Sequence, residues 1–159
     1  MKKILFTLTA IMAIACNNQN PFLTEWDTPY GIPDFNKIQE KHYLPAVQAG
    51  IRQQEAEIAA IVADTAAPTF ANVVEAYEHS GAVLDRVTNV LFNVSESDAT
   101  ESLQKIVEEA LPLLSVHSDN IFMNPAFFAK VEALYDDMSD LDLTREQEMT
   151  LKKLYNAFV

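Results

Sequence analysis

Apolar positions fall at helical spacing along most of this chain. Beyond Pro33, the residues Leu44, Val47, Ile51, Ile58, Ile61 and Val62 are separated mainly by steps of three, four and seven, which line one face of a helix. Asp34 can cap its start. Pro45 is expected to split it into a short first piece and a long second one, because proline suits a first turn and not an interior. Asp64 to Pro68 reads as a linker. From Thr69 a second long helix is expected to carry Phe70, Val73, Val74, Tyr77, Leu84, Val87, Leu91 and Val94. Ser80 and Gly81 sit where that stripe would be filled. Small residues there either let another helix approach closely or weaken the helix, by up to about 1 kcal/mol relative to alanine. Asp98 and Glu101 resemble a capping box ahead of Leu103, Ile106, Val107, Ala110, Leu111 and Leu114. Pro112 should kink that third helix, since it lacks an amide donor. Asn124-Pro125 opens a fourth, with Phe127, Phe128, Val131, Leu134, Tyr135 and Met138. Thr144 and Gln147 box a fifth, with Leu151, Leu154, Tyr155 and Phe158. No segment alternates apolar and polar residues with β-branched enrichment, so no strand is predicted. The fold class is all-α, an antiparallel helical layer or bundle.

The first residues follow a different pattern. Met1-Lys2-Lys3 precedes an apolar run from Ile4 to Ala15, then Cys16 and the polar Asn17-Asn18-Gln19-Asn20. This is the form of a secretory signal, and the run is shorter than the about 20 residues a membrane-spanning helix needs. Cys16 is the single cysteine, so no disulfide can form within the chain. Its place after Met12-Ala13-Ile14-Ala15 resembles a lipoprotein cleavage box, although Ala13 stands where that pattern usually has Leu. Residues 1–15 are thus expected to be removed and Cys16 lipidated; ordinary cleavage near Ala15 is the alternative. The protein would then be exported, either free in the periplasm or anchored to a membrane through acyl chains. Residues 16–33, with Pro21, Pro29 and Pro33, read as an extended arm packed by its aromatics. Residues 34–159 form the helical region.

Charge narrows the partners. The chain has 11 Lys and Arg against 23 Asp and Glu, a formal charge of −12. Phosphate backbones and anionic lipid surfaces demand the opposite balance, which excludes nucleic acid and electrostatic membrane binding. Charge of this size serves solubility. The densest acidic stretch, Asp136-Asp137-Met138-Ser139-Asp140-Leu141-Asp142, lacks the central Gly and terminal Glu of a calcium-binding hand loop and reads as a solvated connection.

Catalytic chemistry finds no foothold in these residues. A hydrolytic zinc site wants close histidines and a carboxylate, as in H-E-x-x-H on one helical face. Here His42, His79 and His117 are far apart in sequence. There is no G-x-S-x-G turn, and three glycines in the whole chain cannot build a G-x-G-x-x-G or a phosphate-binding loop. No carboxylate pair stands out from the rest. The expected catalytic and metal-binding sets are therefore empty.

Several short pieces taken together do point somewhere. They are Asn20-Pro21-Phe22, His42-Tyr43-Leu44-Pro45-Ala46 with Ala49-Gly50-Ile51, Glu55-Ala56-Glu57-Ile58, Pro68-Thr69-Phe70-Ala71-Asn72 and Ser80-Gly81. Next come Leu84-Asp85-Arg86-Val87, Leu103-Gln104 with Ile106, and Pro112-Leu113-Leu114. The last are His117-Ser118-Asp119-Asn120-Ile121, Asn124-Pro125-Ala126-Phe127-Phe128 and Tyr155 with Phe158-Val159. In order and spacing, from about residue 20 onward, the chain resembles the amino-terminal region of the peptidyl-dipeptidase and oligopeptidase family of zinc metallopeptidases.

That resemblance implies a much longer helical enzyme whose H-E-x-x-H zinc helix lies in its carboxy-terminal part. No catalytic or zinc-binding residue of that family maps onto this sequence. It also implies that the amino-terminal helices wall a channel admitting short peptides, from which the peptidyl-dipeptidase branch releases carboxy-terminal dipeptides. Zinc would be the cofactor of the full-length enzyme and not of this region, which alone is expected to be inactive. The ending Asn156-Ala157-Phe158-Val159, on the apolar side of a helix and without a stop signal, leads to the expectation of a chain cut from something longer, with helical faces partly unpaired. The competing reading is a freestanding helical lipoprotein acting as a binding or assembly module.

Overall fold

The computed structural model describes residues 20–159; the signal-like segment and Cys16 lie outside them. The described residues are helical and contain no strand. Helix α1 spans Tyr43–Ala63, and α2, Ala76–His79, continues a π-helical stretch at Phe70–Glu75. Then come α3, Ala82–Ser97; α4, Glu101–Phe122; α5, Pro125–Asp136; and α6, Arg145–Asn156.

Local chemistry sets most boundaries. The Thr69 hydroxyl accepts from the Asn72 amide while the Asn72 side chain accepts from the Thr69 amide, a reciprocal cap. The Asn72 amide group also donates to Asp64 Oδ2, which pins the linker. Asn124 caps α5 by accepting from Ala126 and Phe127, with Pro125 in the first turn. Thr144 and Gln147 box α6 as the sequence suggests.

Three expectations need correction. Asp34 caps only a turn, holding the Asn36 amide and pairing with Lys37, whereas the long helix α1 does start near Pro45 as expected, at Tyr43, with the proline in its first turn. The second helix is broken at Ser80-Gly81, where Gly81 takes φ +76. A left-handed residue cannot continue a right-handed helix, and glycine adopts it without steric cost. The cap of α4 is Thr100, which accepts from Leu103, and not Asp98. Helix α4 spans Glu101 to Phe122 with Pro112 inside it.

The helices close over two apolar cores. The first holds Phe22, Tyr43, Ala46, Val47, Leu84, Val87, Val90, Leu91, Leu103 and Ala110. It is where α1 and α3 pack, and Gly50 makes their approach possible: a Cβ there would stand 2.8 Å from the Leu84 Cα. The arm seals one end. Phe22 is fully buried against Tyr43 and Trp26, Asn20 donates to the His42 carbonyl, and Arg86 stacks over Trp26 while donating to the Phe22 and Thr24 carbonyls.

The second core holds Ile58, Ile61, Val73, Val74, Ile121, Phe127, Val131, Leu134, Leu151 and Leu154. Its rim is aromatic. Phe158 lies against Phe122, Phe127 and Phe128, and Tyr135 stacks on Tyr155 at 3.9 Å between centroids. Phe158 is thus packed inward, while Val159 beside it is 76% exposed. Other exposed apolar side chains lie along α4 and just past it, at Leu111, Leu113, Val116 and Met123, and in the segment before α1, at Leu23, Tyr30, Ile32 and Phe35.

Candidate functional site

The polar chemistry of the interior gathers at one point, between the two cores. Gln54 on α1, Ser80 at the helix break and His117 on α4 form a continuous chain of hydrogen bonds. The Ser80 hydroxyl donates to the Tyr77 carbonyl at 2.7 Å. It is left to accept from Gln54 Nε2 at 3.2 Å. Gln54 Oε1 then faces His117 Nε2 at 2.8 Å and, as a carbonyl, can only accept. His117 therefore carries its proton on Nε2 and presents a bare lone pair at Nδ1. That nitrogen is buried and has no protein partner.

The helix break is fitted to this chain. The Gly81 amide donates to Glu57 Oε2 at 2.7 Å. A Cβ on Gly81 would lie 2.5 Å from Gln54 Nε2, so the same glycine supplies both the positive φ and the room for the Gln54 amide. Burial holds the His117 imidazole below the ordinary histidine value, with the charge of Glu55 opposing the shift. Desolvation disfavours the charged ring, so His117 is neutral at pH 7.

A groove of about 260 Å³ opens beside this junction, between α3 and α4. Leu84, Phe92, Leu114, Ile121 and Phe122 give it apolar walls, and Gln54, Tyr77, Asp85, Thr88, His117 and Ser118 give it polar points. Partial burial raises the Asp85 carboxyl, although the residue as a whole faces solvent. Tyr77 is raised by burial first, then by the charges of Glu78 and Asp85. No Lys or Arg lines this groove.

The other two histidines are spent on local caps. His42 Nδ1 accepts from the Gln39 amide at 3.0 Å, and His79 Nδ1 lies 2.7 Å from the Glu75 carbonyl. Among the described residues, no three His, Cys, Asp or Glu side chains come close enough to share a metal ion. His42, His79 and His117 sit on separate elements, each with a ring nitrogen already engaged. The donor set present does not fit zinc, and no step of a zinc mechanism can be drawn through it. The acidic stretch after α5 forms a 3-10 turn at Met138–Asp140 whose Met138 and Leu141 pack on the second core; its aspartates face solvent. Cys16, the lipidation candidate, is not among the described residues. Among those residues, no helix is long and apolar enough to cross a membrane.

Gln54 is the residue that reading the sequence passed over. A signal was there: it interrupts the α1 stripe between Ile51 and Ile58, as Ser80 interrupts the next stripe and His117 the one after. Polar residues set into three apolar faces must satisfy one another, and they do.

The pieces of sequence that carry the resemblance are largely the ones that build this scaffold. Asn20 to Phe22, Tyr43, Gly50, Ser80-Gly81, Arg86, His117 and Asn124-Pro125 are its arm, close crossing, break, clamp, junction and cap. No protein-family model matches the chain. Curated relatives do. The chain is 38% identical over 140 residues to the dipeptidyl carboxypeptidase of Salmonella typhimurium, covering 88% of this chain and 21% of that protein. It is 35% identical over 140 residues to the dipeptidyl carboxypeptidase of Escherichia coli, with the same shares. Oligopeptidase A of Escherichia coli is 28% identical over 122 residues, which cover 77% of this chain and 16% of that protein. The chain is thus a homologue of the dipeptidyl carboxypeptidases and, at lower identity, of oligopeptidase A, and it spans about a fifth of the length of the carboxypeptidases it matches.

Proposed function

We propose that this chain is the amino-terminal helical part of an exported zinc metallopeptidase of the dipeptidyl carboxypeptidase type, which releases carboxy-terminal dipeptides from short peptides. One observation carries the reading: 38% identity to a dipeptidyl carboxypeptidase across 88% of the chain, against 28% for oligopeptidase A. The described helices would form a wall of the substrate channel. Their contribution would be shape and rigidity, excluding folded protein while leaving peptide bonds to residues elsewhere. The zinc and its ligands would come from outside this chain, because its own histidines are committed to caps and to the buried junction. Export would follow from Lys2, Lys3 and the apolar run to Ala15, with an acyl anchor at Cys16.

The test has two arms. This polypeptide is expected to leave a blocked tripeptide intact with or without zinc, whereas a longer product of the same reading frame should cleave it and lose that activity to a chelator. Chelator-sensitive turnover by the 159-residue chain, or a longer frame without H-E-x-x-H, would overturn the proposal. For the anchor, labelled palmitate should enter the wild-type protein in a bacterial host and not Cys16→Ser; equal labelling would remove Cys16 from the account.

A further inference from the structure

We propose that the apolar tip of the arm, Tyr30 with Ile32 and Phe35, is a docking surface for the interfacial layer of a lipid bilayer. The inference rests on the acyl anchor proposed at Cys16 and deepens it: the anchor supplies the attachment, and the tip fixes which face of the protein meets the membrane.

The tip is held in an unfavourable shape. Tyr30 stands at φ +63, a left-handed value that a residue with a side chain adopts at a cost. Burial does not offset that cost, because Tyr30 is 98% exposed. Two bonds hold the turn: the Gly31 amide donates to the Thr28 carbonyl, and the Thr28 hydroxyl donates to the Ile32 carbonyl. Ile32 and Phe35 follow at once and are more than half exposed. Chain reach alone keeps the three residues within about 19 Å of one another. Phe35 also borders a groove of about 330 Å³ walled by Trp26, Pro33, Val90 and Val94, which extends the apolar surface onto α3.

Chain length says what covers the tip. Cys16 lies four positions before Asn20, whose side chain ties the arm to the His42 carbonyl. Whatever path residues 17–19 take, covalent reach keeps Cys16 within about 14 Å of Asn20. Pro21, next to Asn20, shares one cavity with Thr28 and Asp34, the residues that flank the tip. An acylated Cys16 therefore holds this end of the protein against the headgroup layer. A tether so short raises the local concentration of lipid until a few apolar side chains suffice for contact. Tyrosine suits that boundary, since its ring is apolar and its hydroxyl stays wet. Charge selects the lipid. No Lys or Arg occurs from Asn20 to Asn36, Glu25 and Asp27 are exposed, and Asp34 is paired with Lys37. The fitting surface is electroneutral, because anionic headgroups repel these carboxylates.

The full chain is produced in a bacterial host, and its processed form is placed in phosphatidylcholine vesicles with brominated acyl chains. Trp26 is the single tryptophan and shares a groove with Phe35, so its fluorescence reports on the tip. Bromine should quench Trp26 about twofold more in the wild type than in the double variant Tyr30→Gly with Ile32→Ser. Glycine relieves the positive φ and serine replaces an exposed side chain, so the variant keeps the fold, as unchanged circular dichroism will show. Phosphatidylglycerol should weaken the quenching. If labelled palmitate finds Cys16 unacylated, a maleimide-bearing lipid is coupled to its thiol, so the tip is read apart from the anchor. Equal quenching in the variant, or stronger quenching on phosphatidylglycerol, would overturn the proposal. A dimer that the wild type forms and the variant does not would give the tip to a second copy instead. Protection of Tyr30 from nitration in a longer product of the reading frame, before lipid is added, would give it to polypeptide beyond residue 159.

Discussion

The two cores are built by different means, although α1 and α4 run through both. The first is assembled across long sequence distances: an arm at residues 20–26 is held by Arg86, and α1 closes on α3 over a bare Gly50. The second gathers α1, the π-helical stretch, α4, α5 and α6 and is locked by aromatic rings. Backbone approach and polar clamps hold the first, and ring area holds the second. Between them lies the junction of Gln54, Ser80 and His117, at the middle of α1, the break after α2 and the outer half of α4. The division shows how long helices can serve two interiors: each stripe is apolar at its ends and polar where it crosses from one interior to the other.

Truncating one fully buried ring in each half should have the largest effect and tests whether the halves unfold together. Phe22→Ala and Phe127→Ala should each cost about 3–5 kcal/mol in urea unfolding. If α1 and α4 couple the cores, each variant shows one transition by both circular dichroism and aromatic fluorescence. Two separate transitions would mean that the cores are independent units.

Gly50→Ala comes next and addresses the first core alone. The new methyl would meet backbone of Leu84, which cannot swing aside, so α1 and α3 must part. A loss of about 1–3 kcal/mol is expected. Protection from hydrogen exchange should fall in α1 and α3 and hold in α6; a uniform fall would erase the distinction drawn between the cores.

Capping variants sharpen the second core. Thr144→Ala removes the acceptor for the Gln147 amide and should cost about 1 kcal/mol, chiefly as fraying of α6. Thr69→Ala should cost a similar amount at the π-helical stretch. A cost near zero in both would show that aromatic packing alone fixes these starts.

The smallest expected effect is a pH slope at the junction. Burial lowers His117 from its ordinary 6.5, so the unfolded chain binds that proton more readily than the folded one. The stability from this neutral ring is complete above about pH 6.5 and is lost as acidification proceeds from there toward the lower folded value. His117→Gln, which takes up no proton, should flatten the slope of unfolding free energy below pH 6.5. A residual slope is expected from His42, also lowered chiefly by burial, and an unchanged slope would remove His117 from the acid response.

The sequence by itself determined the helical class, because periods of three and four recur from Leu44 to Phe158 and no stretch alternates. It also determined the starts at Thr69, Pro125 and Arg145, since a cap is written within four consecutive residues. The resemblance to the oligopeptidase family was legible in the same short pieces, and the relatives' identities bear it out. Tertiary structure alone decided the rest. Whether Ser80-Gly81 merely weakens a helix or ends it depends on Gln54, a residue 26 positions away, filling the space a Cβ would need. That Phe158 turns inward is settled by rings on α4 and α5. That His117 keeps an open acceptor is settled by a hydrogen-bond relay over three elements. Local rules fix which residues can form a helix; only the meeting of helices fixes which polar atoms find partners.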